Sequence, residues 1–174
     1  MTITIIEDTS QKIGQHNNIS EWCAANGVKL IRQKLNVGDY QTPPRVAVDT
    51  KKGMAEIYQD LIGEHERFRA ECIRAQEDGI KLIILIEEEE ISCLEEAEHW
   101  KNPRQKKWER DNAFIARAQA KGKMLNHKIP KPPVSSDRLV GMMRAMEMKY
   151  GVKWFFCHPD KTGETIYSIL SAWR

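Results

Sequence analysis

An almost unbroken apolar run, Leu82-Ile83-Ile84-Leu85-Ile86, is the sequence feature that most restricts the fold of this chain. Such a run is typical of a strand covered on both faces, in the middle of a sheet flanked by helices. Just before it, residues Met54 to Asp78 have apolar side chains at helical spacing, which predicts one long helix ending at Asp78-Gly79. A long helix leading into a buried strand predicts an α/β fold.

The rest of the chain repeats this alternation of strands and helices. Further strands are predicted at Thr2–Ile6, Val28–Leu35, Arg45–Thr50 and Val152–Cys157, and further helices from Ser20, over 135–148 and over Thr162–Trp173. We therefore expect a single domain over residues 1–174 with a central mixed sheet and helices on both sides. The apolar stripe of the last helix (Ile166, Ile169, Leu170, Trp173) is interpreted as core, although a homodimer face is an alternative.

Residues from about 88 to 134 depart from this pattern and are interpreted as an insertion. The segment begins acidic, becomes strongly basic, contains Trp100 and Trp108, and ends in prolines. One helix is predicted within it, around Arg110 to Gly122. Its basic residues and tryptophans are suited to neutralising phosphates and stacking on unpaired bases, but they also fit a solvated face with packed tryptophans.

Composition excludes several functional classes. The net charge of +2 is nearly neutral, and the four cysteines are scattered without zinc-site spacing, which favours reduced thiols in a cytoplasmic protein. The five histidines (His16, His65, His99, His127, His158) show no paired spacing. No apolar run is long enough to span a bilayer, and the N-terminus lacks the pattern of a signal peptide. We expect no membrane association and no organic cofactor.

The chemically informative pattern is Gly38-Asp39 followed, after nine intervening residues, by Asp49-Thr50-Lys51. Alternation along a strand puts Asp49 and Lys51 on one face. Asp8, at the end of the first strand, reaches the same place if that strand is a neighbour in the sheet. Two carboxylates about 4 Å apart repel by roughly 4 kcal/mol at an effective dielectric near 20. A divalent cation removes this repulsion, and oxygen ligands without His or Cys suit Mg²⁺ or Mn²⁺.

The spacing alone is a weak signal, because charged residues make up 30 % of the chain. The spacing by itself favours a Gly-Asp turn beside a surface ion pair. Two details favour a site. Asp49 follows Val46-Ala47-Val48, and Asp8 follows another apolar strand, so both emerge from buried strands. Charges at strand ends of an α/β sheet are where functional sites gather.

Three runs of residues resemble the nuclease domain of XPF-type structure-specific endonucleases. They are Ile5 to Thr9, Leu35 to Tyr40 and Val46 to Lys52, and the similarity resumes at Arg67-Phe68-Arg69, Leu82 to Glu87 and Met143 to Cys157. The resemblance covers most of the chain outside the basic insertion, in a compact form known from bacteria and their phages. It implies the restriction-endonuclease-like fold, a three-layer α/β/α architecture with a central mixed sheet. It also implies Mg²⁺- or Mn²⁺-dependent endonuclease activity on DNA.

The same resemblance implies roles for individual residues. Asp8, Asp39 and Asp49 would bind metal, and Lys51 would be the catalytic lysine. Glu56 would supply the acidic residue of the following helix, with Asp60 competing for that role. Ser10 is a departure, because many relatives have an arginine there, and its absence would weaken phosphate contact.

DNA contacts are predicted for exposed cations and one tryptophan: Lys52, Arg67, Lys106, Lys107, Trp108 and Arg110. Three functional readings remain open. The first is a nuclease selective for flap, fork or junction DNA in repair, recombination or phage replication. The second is a non-catalytic DNA-binding or assembly protein on the same scaffold. The third is the same chemistry on another substrate, such as a Holliday junction or RNA.

Overall fold

The computed structural model of the chain describes residues 3–12, 17–43, 45–122 and 131–172. Six strands form one sheet in the order β2-β1-β3-β4-β5-β6. The strands are β1 (Thr4–Asp8), β2 (Lys29–Gln33), β3 (Tyr40–Thr42), β4 (Val46–Lys51), β5 (Lys81–Glu87) and β6 (Lys153–Cys157). The helices are α1 (Asn17–Ala25), α2 (Met54–Tyr58), α3 (His65–Glu77), α4 (Leu94–Ala97), α5 (Pro103–Ala120), α6 (Ser136–Tyr150) and α7 (Thr162–Ala172). No helix of the described ranges is long and apolar enough to cross a membrane.

Two separate cores, one on each face of the sheet, produce the three layers. Ile83 and Leu85 of β5 point into the core beneath α1 and α7, whereas Leu82, Ile84 and Ile86 point into the core beneath α2, α3 and α6. The apolar run is therefore buried on both sides, as predicted. The apolar stripe of α7 is core, since Ile166, Ile169 and Leu170 are all buried. Trp173 lies outside the described residues.

The direction of β3 brings the predicted site residues to one edge of the sheet. β1 and β2 are parallel, β4, β5 and β6 are parallel, and β3 is antiparallel to both of its neighbours, β1 and β4. The start of β3 therefore lies beside the ends of β1 and β4. Two backbone hydrogen bonds fix this meeting point, from Asp8 N to Asp39 O (2.8 Å) and from Asp39 N to Val48 O (2.9 Å).

The predicted long helix over Met54–Asp78 is wrong in one respect, because it is broken. After α2 the chain makes a π-helical turn, Gln59–Gly63, closed by a bond from Glu64 N to Gln59 O (2.8 Å), and α3 starts only at His65. The extra residue in this turn lets Asp60 and Leu61 both point inward, and each is 2 % exposed.

Two helix starts also differ from the prediction. Ser20 is not an N-cap, because α1 begins at Asn17 and contains it. The helix expected around Arg110 to Gly122 begins earlier, at Pro103, and ends at Ala120. Its start has a cap signal, since the Asn102 side chain accepts a hydrogen bond from Arg104 N (3.0 Å) and Pro103 occupies the first turn. Helices α4 and α5 lie between β5 and α6 in the segment interpreted as an insertion.

Candidate active site

A pocket of about 440 Å³ opens at the edge where β1 and β4 end and β3 begins. Its lining includes seven of the residues predicted from sequence: Asp8, Asp39, Asp49, Lys51, Lys52, Glu56 and Arg67. The lining also includes residues that were not predicted, among them Gln11, Lys34, Thr50, Glu71 and Arg74. The pocket thus has acidic groups beside a set of exposed cations. The other predicted DNA-contact residues, Lys106, Lys107, Trp108 and Arg110, lie elsewhere, on α5.

Asp39 is held by donors from β4 and from the loop that follows β1. Its Oδ2 accepts hydrogen bonds from Thr50 N (2.9 Å) and Thr50 Oγ1 (2.6 Å), and its Oδ1 accepts one from the Gln11 amide. The preceding Gly38 has φ +69°, and a Cβ there would lie 3.0 Å from Val48 O. Only glycine therefore fits this tight turn without strain. Gly38 N donates to Glu71 Oε1 (2.9 Å), which ties the turn to α3.

Lys51 lies between buried carboxylates. Its Nζ is 2.9 Å from Asp49 Oδ2, 2.9 Å from Asp60 Oδ2 and 3.8 Å from Glu56 Oε1. Asp49 and Lys51 are each only 6 % exposed. Both side chains point to the same face of β4, as alternation along a strand predicts.

Burial and charge perturb both members of the Asp49–Lys51 pair. Desolvation raises the pKa of Asp49 well above its ordinary value, and the charges of Asp39 and Glu71 add to this, although Lys51 opposes it. Burial alone would lower the pKa of Lys51, but the charges of Asp49 and Asp60 outweigh it and raise that pKa. Lys51 is therefore a stable ammonium in this site.

Of the two acidic residues considered for the following helix, Asp60 makes the closer contact with Lys51. Asp60 is buried and also contacts Arg67, whose Nη2 is 3.3 Å from Asp60 Oδ1. Glu56 is half-buried at the pocket mouth and accepts a hydrogen bond from Lys52 N (2.7 Å). The π-helical turn is the reason that Asp60 points inward.

Asp8 is paired with a lysine that sequence reasoning missed. Lys34 Nζ lies 3.1 Å from Asp8 Oδ2 and donates to the Ser10 hydroxyl, while Leu35 N donates to Asp8 Oδ1 (3.0 Å). Burial raises the pKa of Asp8, but these hydrogen bonds outweigh it, and the pKa lies below its ordinary value. A cation thus stands beside Ser10, contributed by the residue after β2. The signal for this pairing is the parallel register of β1 and β2, in which Asp8 lies opposite Gln33.

Glu71 is a second residue that sequence reasoning missed. It lines the pocket together with Arg67 and Arg74, which are four residues before it and three residues after it on α3. Residues at this spacing share one helix face, so the pattern was present in the sequence. Without the packing of α3 against the sheet, however, the direction of that face was open.

The donor set of the pocket fits a hard divalent cation in its chemistry, because carboxylate oxygens line it and no His or Cys does. Asp49 Oδ2 is buried and has no aligned hydrogen-bond donor, with the Lys51 ammonium as its close neighbour. Within the described ranges, however, no three His, Cys, Asp or Glu side chains are arranged to hold a metal ion. The carboxylates of Asp8 and Asp39 are directed instead at donors of the chain itself.

The remaining residues named from sequence divide into exposed and packed groups. Lys106, Lys107 and Arg110 are exposed on α5, and Trp108 is half-buried. Trp100 packs against the core beneath α2, α3 and α6, as the packing alternative expected. His99 and His158 are exposed and His65 is half-buried, while His16 and His127 lie outside the described residues. The four cysteines are free thiols.

Comparisons with known proteins agree with this architecture. Residues 7–169 match the family described as the ERCC4 domain. The fold is similar to that of XPF from Aeropyrum pernix, with a TM-score of 0.60 and 15 % sequence identity over 98 % of this chain and 62 % of that one. XPF from the same organism in complex with DNA gives a TM-score of 0.60 and 15 % identity over 98 % of this chain and 64 % of that one. No curated protein matches the chain.

The chain thus spans less than two thirds of the length of these XPF structures. At 15 % identity the likeness establishes the fold alone. The predicted restriction-endonuclease-like α/β/α fold is confirmed.

Proposed function

Because the chain belongs to the ERCC4 domain family, a family of DNA nuclease domains, we propose that it is a divalent-metal-dependent DNA endonuclease. The observation that supports this most is the convergence of Asp39, Asp49 and Lys51, with Asp8, on one pocket at a sheet edge. Hydrolysis of a phosphodiester requires stabilisation of negative charge at phosphorus and activation of a water. The carboxylates and the buried ammonium are suited to these two tasks.

Asp39, Asp49 and Asp8 are the residues proposed to hold the cation, Mg²⁺ or Mn²⁺. Bound there, the cation would supply Lewis-acid activation of the phosphate and of the attacking water. Glu56 and Glu71 also line the pocket and add negative charge near that position.

Lys51 is proposed as the catalytic lysine. The charges of Asp49 and Asp60 raise its pKa, so it keeps its proton at neutral pH and is not a general base. It instead donates hydrogen bonds that orient the attacking water and offset the negative charge developing on the phosphate. Asp60 and Asp49 together hold this ammonium in place, each with an oxygen 2.9 Å from Nζ.

Exposed cations around the pocket are proposed to hold the DNA backbone. Lys52 and Arg67, both expected from sequence, lie at the rim together with Lys34 and Arg74. Lys106, Lys107, Trp108 and Arg110 extend the proposed DNA-contacting surface along α5. Each lysine or arginine that neutralises a phosphate releases a counterion, so the affinity for DNA should fall steeply with salt.

Selectivity for flap, fork or junction DNA, and a role in repair, recombination or phage replication, belong to this proposal through the resemblance to XPF-type nucleases. A bacterial or phage origin and pairing as a homodimer rest on the same resemblance. The basic insertion within a single nuclease domain is proposed from its charge pattern, and action in the cytoplasm from the scattered cysteines. The similarity to an XPF structure titled as a complex with DNA supports DNA as the partner.

The test is cleavage of end-labelled duplex, flap, splayed-arm and four-way-junction DNA with Mg²⁺ or Mn²⁺, beside an EDTA control. Asp49→Asn keeps the shape of the side chain and should abolish cutting. Asp78→Asn makes the same change at an exposed position at the end of α3 and should cut like the wild type. Full activity of a folded Asp49→Asn variant would refute the proposed site.

A second function, a non-catalytic DNA-binding protein, is favoured by one observation. Within the described ranges the carboxylates are not arranged to hold a metal ion, and Asp8 and Asp39 are bonded to donors of the chain. Calorimetric titration with Mn²⁺ separates the two functions, since the nuclease predicts binding that Asp49→Asn abolishes. DNA binding without any metal binding or cutting would favour the second function.

A further inference from the structure

A second groove, of about 530 Å³, lies between α5 and the helical turn that follows β4. It is distinct from the carboxylate pocket, and no residue is common to the two linings. Trp108 on α5, Tyr58 and Ile62 on the α2 side, and Pro132 and Pro133 on the returning chain form its apolar surface. We call it the α5 groove.

The aromatic groups of the α5 groove stand beside a guanidinium. Arg104 Cζ lies 4.5 Å from the centroid of the Tyr58 ring, and Arg104 Nη2 donates to Gln59 Oε1 (3.3 Å). Tyr58 is itself fixed, because its hydroxyl accepts a hydrogen bond from Val134 N (3.1 Å). Tyr58 is buried and supports the exposed Arg104 guanidinium, while the half-buried Trp108 supplies the aromatic surface. Planar guanidinium and aromatic groups are surfaces on which single-stranded nucleic-acid bases stack.

The charge of the α5 groove complements a phosphate chain. Arg104, Lys107 and Lys131 line it, against one carboxylate, Asp111. An intact duplex would present its phosphates to these cations, but its bases would stay stacked inside the helix and leave the apolar surface uncovered. An unpaired nucleotide would use both features, with its base on the aromatic surface and its phosphate at the cations.

The α5 groove and the candidate active site lie on opposite sides of the same helical turn. Glu56 and Asp60 face Lys51, while Tyr58 and Ile62, each two residues further along, face the groove. The helical turn Met54–Gly63 therefore separates the two, and a helix with its side chains is about 10–12 Å across. A single strand would cross this distance within a few nucleotides.

We propose that the α5 groove binds an unpaired nucleotide of the DNA substrate, close to the scissile phosphate, and so selects DNA with a single-stranded branch. This inference rests on the proposed function and assigns a separate site on the chain to the single-stranded branch. Duplex DNA would contact the cations alone, whereas tailed or flapped DNA would also place an unpaired base on the apolar surface of the groove.

Equilibrium binding without catalysis tests this directly, with fluorescently labelled tailed and blunt duplexes compared by anisotropy in EDTA. Trp108→Ala should weaken binding of the tailed duplex by about 5- to 150-fold, the range for loss of one stacking contact. Binding of the blunt duplex should change by less than about twofold. Trp108→Phe should restore most of the preference, and Phe114→Ala, which removes an exposed aromatic from the same helix outside the groove, should match the wild type.

A second measurement needs no variant and covers the case in which Trp108→Ala fails to fold. A 2-aminopurine placed at successive positions of the tail should lose its fluorescence through stacking at one position of the tail and not at the others. Equal weakening of tailed and blunt duplexes by Trp108→Ala, or uniform fluorescence along the tail, would overturn the inference. Tail-selective binding without metal-dependent cleavage would instead refute the nuclease and leave the groove as a DNA-binding site.

Discussion

Replacing Lys51 by methionine should destabilise the fold as well as abolish catalysis. Methionine has a similar length but no charge, so the substitution leaves Asp49 and Asp60 facing each other across the space that the ammonium occupied. Asp49 and Asp60 are 6 % and 2 % exposed, so little water reaches them. Two buried carboxylates would then lack their common cation.

The distances set the size of this effect. At an effective dielectric near 20, each ion pair at 2.9 Å is worth about 6 kcal/mol of Coulomb energy. Burying the ammonium offsets much of this, and removal of one partner of a buried pair costs about 3–5 kcal/mol in practice. Total stabilities are about 5–15 kcal/mol, so the variant should fold, with a melting temperature lower by about 6–20 °C.

The destabilisation should shrink in acid. Lys51 opposes the rise that burial causes in the pKa of Asp49, so its removal should raise that pKa further. A carboxyl with a raised pKa in the folded state binds its proton more tightly there than in the unfolded chain. The variant should therefore gain stability relative to the wild type as the pH falls through the folded pKa towards the unfolded value of about 3.9.

Urea denaturation followed by circular dichroism at pH 8 and pH 5.5, in EDTA, measures both effects. Lys52→Met is the matched control, because Lys52 is the next residue and is exposed, and it should change stability by less than about 0.5 kcal/mol. If Lys51→Met were as stable as Lys52→Met at pH 8, Lys51 would not hold the buried carboxylates together. The electrostatic account of the site would then be refuted.

Three further substitutions test the supports of the site. Thr50→Val removes the hydroxyl that donates to Asp39 (2.6 Å) and should lower the free energy of unfolding, measured by urea denaturation, by about 1.5–3 kcal/mol. The control Thr42→Val, whose hydroxyl donates to a neutral carbonyl, should lower it by only about 0.5–1.5 kcal/mol. Equal losses would contradict a charge-assisted bond to Asp39. Gly38→Ala should lower the melting temperature of the protein more than Gly79→Ala does. Both glycines have positive φ, but only at Gly38 would the new Cβ lie 3.0 Å from Val48 O. Equal melting temperatures would rule out this close approach. Lys34→Ala should raise the pKa of Asp8 as followed by NMR, whereas Lys29→Ala should not. The stability that Lys34 confers through Asp8 should be present above about pH 4 and be lost as the pH falls through the lowered folded pKa, and an unchanged titration of Asp8 would exclude the pairing.

Features that depend on local periodicity could be predicted from the sequence. The central strand β5 follows from its apolar run, and the shared face of Asp49 and Lys51 follows from alternation along β4. The break between α2 and α3 could not be predicted, because one π-helical turn adds a single residue and leaves the apolar spacing nearly helical on both sides. Asp60 therefore could not be distinguished from Glu56 as the closer partner of Lys51.

Contacts between site residues and residues from distant parts of the chain could not be predicted from the sequence. Lys34 reaches Asp8 only because β1 and β2 pair in parallel, and Glu71 reaches Gly38 only because α3 packs across the pocket. Neither pairing has a local signal, since each residue also fits an exposed polar position. The site residues on one strand were thus predictable, whereas the residues that hold them in place were not.

The pairing of the carboxylates with the chain itself has a consequence for the proposed chemistry. The Asp8 carboxylate is paired with Lys34 and accepts a hydrogen bond from Leu35 N. The Asp39 carboxylate accepts hydrogen bonds from Thr50 and Gln11, and the Asp49 carboxylate is paired with Lys51. A cation alone must compete with these donors for oxygen atoms. A phosphate arriving at the pocket would attract the Lys34 and Lys51 ammonium groups and free carboxylate oxygens for the cation. If the proposed function holds, DNA and metal would each strengthen the binding of the other by the same factor, since such coupling is reciprocal.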